Sequence, residues 1–202
     1  MLKIGLILNY QNYKQTILCC VNLIKAGVDR VTIVDNNSSN DSVSQLQAAF
    51  DQNKQVSVLT TNANLGYARG NNVGLRAIEH KYGLAEDHVL FVVNPDSLVS
   101  SENIEQITEF CLKHTDAGTV TVLQRPDQKV SWHNLTKKRA LLYNSRIISK
   151  IARLFGRGEA KPYQTSQVDT ERIKVDVNSG AFFGIRQTVF NKVGYFDSAT
   201  FL

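Results

Sequence analysis

Asn94-Pro95-Asp96 places an amide and a carboxylate two residues apart across a rigid proline. Oxygen ligands at that spacing suit Mg²⁺ or Mn²⁺; Mg²⁺ takes one or two carboxylates, keeps some waters and leaves the rest of its shell to substrate phosphates. The same tripeptide is also an ordinary turn. Asp35-Asn36-Asn37 offers a second acid. A carboxylate there accepts from a ribose diol or a base N–H, while an Asx-rich run equally makes a plain turn. In Asn64-Leu-Gly-Tyr-Ala-Arg-Gly-Asn-Asn-Val-Gly74, the glycines Gly66, Gly70 and Gly74 recur every fourth residue. They suit a helix lying close against a sheet, and a helix opened by Gly66 has N–H groups and a positive dipole end that attract phosphate, with Arg69 and Asn71 nearby. Both accounts of the glycines are expected to hold.

These groups need elements to position them. Residues 2–9 read as a first strand, followed by a helix over about 14–26, with Ile17, Leu18, Val21 and Ile24 on one side and Gly27 as its stop. Strand two covers 30–35, and Asp41 is expected to cap a helix ending near Phe50. Strand three is 56–60, helix three runs from near Gly66 to near Tyr82, and strand four is 88–93. A helix over 101–114 then precedes a fifth strand at 118–123. Strict alternation predicts an α/β fold with a mostly parallel sheet covered by helices on both faces. In such sheets ligands bind outside the carboxyl ends of the strands, where Asn9-Tyr10, Asp35 to Asn37, Asn62 to Gly66 and Asn94 to Asp96 all fall. Beyond Gln124 the alternation breaks: 136–155 read as a basic helix, 156–170 as loop, 172–186 as strand and 187–193 as a short helix.

At 202 residues and 43% hydrophobic, the chain can bury one sizeable core. No apolar window reaches the ~18 residues that span a bilayer, and no leader pattern opens the sequence. Cys19, Cys20 and Cys111 have no metal-ligand spacing and read as buried hydrophobes in a reducing, cytoplasmic setting. His80, His88, His114 and His133 lack partners at ligand spacing. The net charge of +5 is local. Residues 129–161 hold nine cations and one anion, and the rest of the chain holds 14 cations against 17 anions. In 136–155 the apolar residues fall mostly on one face, which suits peripheral contact with an anionic membrane or ordinary packing against the sheet. No nucleic-acid motif accompanies the charge, so no nucleic-acid partner is expected. A dinucleotide-binding dehydrogenase is disfavoured because the turn after strand one, Asn9-Tyr-Gln-Asn-Tyr13, has no glycine. A nucleotidyltransferase is disfavoured for want of a glycine-rich, lysine-bearing loop there.

With those pieces in order, the chain resembles the family 2 inverting glycosyltransferases of the GT-A fold, in particular their bacterial rhamnosyltransferase-like branch. The resemblance rests on Leu8-Asn-Tyr-Gln-Asn12, Val34-Asp-Asn-Asn-Ser-Ser39, the 64–74 string, Asn94-Pro-Asp96, and Ser179-Gly-Ala-Phe-Phe-Gly-Ile-Arg186 followed by Val193-Gly-Tyr-Phe-Asp197. It covers the chain from Leu2 onward and is weakest over 125–170. It implies a single GT-A domain, with 1–124 as the nucleotide-sugar half and 125–202 as the acceptor-side half. Asn9 and Tyr10 would contact the nucleotide, and Asp35, with Asn37 beside it, would read base or ribose. Asn64, Gly66, Arg69 and Asn71 would line the donor pocket. Asp96 would bind Mg²⁺ or Mn²⁺ together with Asn94, which departs from the acidic first position of the family's DxD element. Ser179, Gly180 and Asp197 would shape the acceptor side.

The resemblance further implies a metal-dependent inverting transfer of a sugar from a UDP- or dTDP-sugar to a saccharide or lipid-linked acceptor in cell-surface polysaccharide synthesis. The family's general base follows the Phe-Asp run closely and is expected beyond Leu202, so the 202 residues read as a C-terminally truncated domain that binds donor and transfers poorly. A non-catalytic nucleotide-sugar-binding module is the alternative.

Overall fold

The computed structural model describes residues 1–122, 131–132 and 174–200. Two compact units are present: 1–122 with 180–202, and 123–179. In the first unit the elements run β1 (Lys3–Asn9), α1 (Tyr13–Lys25), β2 (Arg30–Asp35), α2 (Ser42–Phe50), β3 (Val56–Thr60), α3 (Gly66–Tyr82), β4 (Val89–Val93) and α4 (Ser101–Lys113). The second unit contributes β5 (Ser131–Trp132) and β6 (Val177–Asn178), a short antiparallel pair. The first resumes with β7 (Phe182–Arg186) and α5 (Gln187–Lys192).

The large sheet has the order β3-β2-β1-β4-β7, parallel throughout except for β7, which runs antiparallel to β4. β4 reads as an unbroken apolar run because it is buried on both faces. Val89, Phe91 and Val93 enter one core with Cys19, Cys20, Leu23, Leu46 and Ile104, from α1, α2 and α4. Leu90 and Val92 enter the other with Leu75, Ile78 and Phe190, from α3 and α5. The period of two along a strand thus deals alternate side chains to the two helical layers.

Small residues set the layer spacing. A Cβ on Gly74 would lie 2.3 Å from Leu6 Cδ1 and 2.8 Å from Val34 Cγ2, and one on Gly70 would lie 2.7 Å from Leu8 Cδ1. The glycine stripe therefore brings α3 down onto β1 and β2, as the first of the two accounts expects. α1 is seated differently from the expectation. Its buried face is Thr16, Cys19, Cys20 and Leu23, whereas Leu18 is 65% exposed and Val21 faces solvent. Two cysteines make a flatter inner face than leucine would, and the Thr16 hydroxyl is tolerated because it bonds Asn9 Oδ1 at 2.7 Å. Burial pushes the Cys19 and Cys20 thiols up to about 12, with the Asp96 charge adding to the effect at Cys19, and Cys111 to about 11. All three stay protonated and unreactive at neutral pH.

Other expectations need correction. Residues 118–122 form no strand; Val120 makes one antiparallel bridge to Gly184. The alternating Thr/Val pattern suits a strand, but β7, with all five residues buried, occupies the slot beside β4. Asp41 takes the N-cap position of α2 without a side-chain cap bond; Asn40 Oδ1 instead accepts from Ser42 N at 3.1 Å. At α4, Ser100 does cap, its hydroxyl accepting from Asn103 N. The strand character expected over 172–186 is interrupted between Asn178 and Phe182. The expected basic helix at 136–155 and loop at 156–170 lie outside the described residues. Among the described residues no helix is long and apolar enough to cross a membrane.

Candidate functional site at the carboxyl ends of the parallel strands

Strands β1, β2 and β4 end side by side at Asn9, Asp35 and Val93. Beyond them a cavity of about 510 Å³ is lined by Leu8, Tyr10, Asn12, Gln15, Asn36, Asn64, Gly66, Tyr67, Asn94, Pro95 and Asp96. Five residues expected from sequence are thereby brought together: Tyr10, Asn64, Gly66, Asn94 and Asp96.

The Asn94–Asp96 turn is fixed by its main chain. Asn94 N donates to Ala181 O at 2.8 Å, and Ser97 N donates to Asn94 O at 3.0 Å. The Ser97 hydroxyl reaches Ala181 O at 3.3 Å. Their side chains are thus left for a ligand: Asp96 is exposed and Asn94 half-buried, and neither side chain hydrogen-bonds among the described residues. One carboxylate and one amide oxygen form a sparse donor set. No cluster of three His, Cys, Asp or Glu suited to a metal exists among the described residues. The carboxylate and amide fit a hard cation completed by water and ligand phosphate.

Asn9 and Asp35 stand behind the cavity wall, both fully buried. Asp35 Oδ1 accepts from Asn9 Nδ2 at 2.6 Å and from Ser38 Oγ at 2.7 Å, and Oδ2 accepts from Ser38 N at 2.8 Å. Three donors on one buried carboxylate tie the loop after β1 to the loop after β2. Neighbouring Asn37 is exposed with φ 60°, a backbone that asparagine tolerates better than most residues.

The start of α3 is similarly committed. Asn36 Oδ1 accepts from Leu65 N and Asn64 Oδ1 from Gly66 N, each at 3.0 Å. Those two N–H groups already have partners, so an anion there would meet the dipole and the N–H groups that follow. Arg69 and Asn71 are not among the lining residues. Arg69 Nε donates to Ser198 O at 2.8 Å, and buried Asn71 donates to Tyr67 O within the helix. On the expected acceptor side, Gly180 O accepts from the Tyr67 hydroxyl, and exposed Asp197 accepts from Ala199 N across its own turn. Ser179 belongs to the second unit.

Asn12, Gln15, Asn36 and Tyr67 line the cavity without having been singled out in the sequence. Asn12, Asn36 and Tyr67 lie inside three of the motif strings, and Gln15 stands in the first turn of α1, so proximity to strand ends was the available signal.

The sequence profile of Glycosyl transferase family 2 matches residues 6–194. The chain belongs to that family. No curated protein matches it significantly in sequence. Among solved structures, a mannosyltransferase (PcManGT) from Pyrobaculum calidifontis, in complex with GDP-Man and Mn²⁺, superposes with TM-score 0.61 at 14% identity, over 97% of this chain and 48% of that one. TarS 1-349 from S. aureus, in complex with UDP, gives 0.54 at 17% identity, over 99% and 52%. GalNAc-T7 with UDP, GalNAc and Mn²⁺ gives 0.63 at 12%, over 98% and 37%. The family 2 chain has the GT-A glycosyltransferase fold and spans about half the length, or less, of these neighbours.

Proposed function

We propose that this family 2 domain is a metal-dependent inverting glycosyltransferase that moves a sugar from a UDP- or dTDP-sugar to a saccharide or lipid-linked acceptor, as in cell-surface polysaccharide synthesis of the rhamnosyltransferase type. One observation carries the reading: Asp96 and Asn94, whose side chains make no hydrogen bond among the described residues, line a cavity at the ends of parallel strands in a chain of this family. Asp96 and Asn94 would hold Mg²⁺ or Mn²⁺, which supplies charge neutralisation to the leaving diphosphate.

The chain's own residues do the rest. Tyr10, 47% exposed, offers a ring to the base, and Asn64 and Gly66 border the donor. Asn9 and Asp35 hold the two loops behind it. The acceptor side is assigned to Ser179, Gly180 and Asp197. In the transfer, an acceptor hydroxyl attacks the anomeric carbon from the face opposite the diphosphate. The new glycosidic C–O bond forms as the bond to the diphosphate oxygen breaks, and the hydroxyl proton passes to a carboxylate base. Asp96 is the sole carboxylate among the described lining residues and is taken up by the cation, so the base is assigned to none of them. The second reading is a module that binds nucleotide sugar without transferring it. A cytoplasmic location with peripheral membrane contact through 136–155 completes the proposal.

Calorimetric titration with UDP tests it. Binding is expected in Mn²⁺ and about 30-fold or more weaker in EDTA, since losing one member of a charge pair typically costs about 2–5 kcal/mol. Equal affinity in both buffers contradicts metal dependence. Sugar release or transfer from bound donor separates the enzyme from the binding module.

A further inference from the structure

Tyr67 stands in the first turn of α3 with its side chain half-buried and lining the cavity that also holds Asp96. Its ring meets Phe196 edge-on at 5.6 Å between centroids, which fixes the plane of the phenol. Its hydroxyl donates to Gly180 O at 2.9 Å. The next carbonyl along, Ala181 O, accepts from Asn94 N and from the Ser97 hydroxyl. The Gly180–Ala181 step is thus held on one side by α3 and on the other by the turn bearing Asp96.

A phenol has one proton to donate, and here it is committed to Gly180 O. Burial pushes the Tyr67 hydroxyl up to about 12, so it stays un-ionised across the neutral range. What remains for a ligand is acceptor capacity on Oη. An acceptor has nothing to offer a phosphate oxygen, which only accepts, but it matches a hydroxyl. In a nucleotide sugar, the hydroxyls nearest the metal-bridged diphosphate belong to the transferred sugar.

Resting on the donor site proposed above, we infer that Tyr67 is a specificity-determining residue that accepts a hydrogen bond from a hydroxyl of the donor's sugar and does not contact its diphosphate.

The test compares UDP with UDP-glucose and dTDP-rhamnose, each titrated in Mn²⁺ into wild type and Tyr67→Phe. Phenylalanine keeps the ring and its contact with Phe196, and an unliganded melt reports whether the fold is intact. UDP affinity should stay within about twofold, while the better-bound nucleotide sugar weakens by about three- to tenfold, the span of one neutral hydrogen bond. Equal weakening of UDP and nucleotide sugar would make Tyr67 a support of the whole cavity and overturn the inference. Unchanged affinity for every ligand would also overturn it. Failure of wild type to bind UDP at all in Mn²⁺ would remove the donor-site reading itself, and this role with it. Should Tyr67→Phe melt well below wild type, Tyr67→Trp, which keeps a ring but donates where oxygen accepted, must still lose the nucleotide sugar selectively for the inference to stand.

Discussion

Asp96→Ala should abolish the manganese-dependent part of UDP binding while leaving the fold's stability unchanged. The two halves of that expectation come from the same geometry. The carboxylate is exposed and has no hydrogen bond among the described residues, so its removal should move stability by no more than about 0.5 kcal/mol. The turn itself is held through the main chain of Asn94 and Ser97, which the substitution does not touch. Among the described lining residues, however, no other carboxylate can replace Asp96 as an anionic ligand. Removing one member of a charge pair typically costs about 2–5 kcal/mol, so affinity in Mn²⁺ should fall about 30-fold or more, to the level seen in EDTA. Asp96→Asn should show most of the same loss, because the charge and not the shape is what the cation needs. Retention of a manganese effect in Asp96→Ala, measured by the same calorimetry, would take Asp96 out of the site.

The second large effect concerns stability alone. Gly74→Val should destabilise the domain by about 3 kcal/mol or more, at the upper end of overpacking costs. Even a bare Cβ at this position would lie 2.3 Å from Leu6 Cδ1 and 2.8 Å from Val34 Cγ2. Both residues sit fully buried in the core between α3 and the sheet. Relief would require α3 to lift from β1 and β2, and its first turn carries Gly66 and Tyr67 of the cavity. For a chain of this size each kcal/mol lowers Tm by about 2–4 °C, so a drop of about 6–12 °C is expected by calorimetry or circular dichroism. Gly118→Ala is the matched control, since nothing lies within 4 Å of its Cβ position. A Gly74→Val melt indistinguishable from that control would mean that the glycine stripe does not set the layer spacing.

Most of the frame was legible in the sequence because parallel strands buried on both faces leave unambiguous apolar runs. β2 at Arg30–Asp35, β3 at Val56–Thr60 and α3 at Gly66–Tyr82 lie where the patterns put them. The seating of α1 was not legible: its large apolar residues Leu18 and Val21 outweigh the small Cys19 and Cys20 in any pattern of hydrophobic size, yet the cysteines face inward. Nor could a local pattern reveal that β7, and not the strand expected at 118–123, is the sheet's fifth strand, set beside β4. That pairing joins segments far apart in the chain, and Val120 adds only a single bridge to Gly184 of β7.

The candidate site divides the same way. Strand ends identified where the cavity would be, and Asn94, Asp96, Tyr10, Asn64 and Gly66 do line it. Which side chains of a motif face the ligand and which brace the wall depends on hydrogen-bond partners that spacing does not encode. Asp35 and Asn71 are buried and bonded within the protein, and Arg69 is turned to Ser198 O. Tyr67, two residues before Arg69 in the same string, lines the cavity with Asn64 and Gly66.

The central claim is a nucleotide diphosphate bridged to Asp96 by a divalent cation at the ends of β1, β2 and β4. Anomalous diffraction at the manganese edge, from a crystal of the domain soaked with UDP and Mn²⁺, tests it most directly. The account predicts one manganese peak at about 2.0–2.3 Å from an Asp96 carboxylate oxygen, with diphosphate density in the same coordination shell. A manganese peak on other residues, or UDP bound away from the Asn94–Asp96 turn, would contradict it.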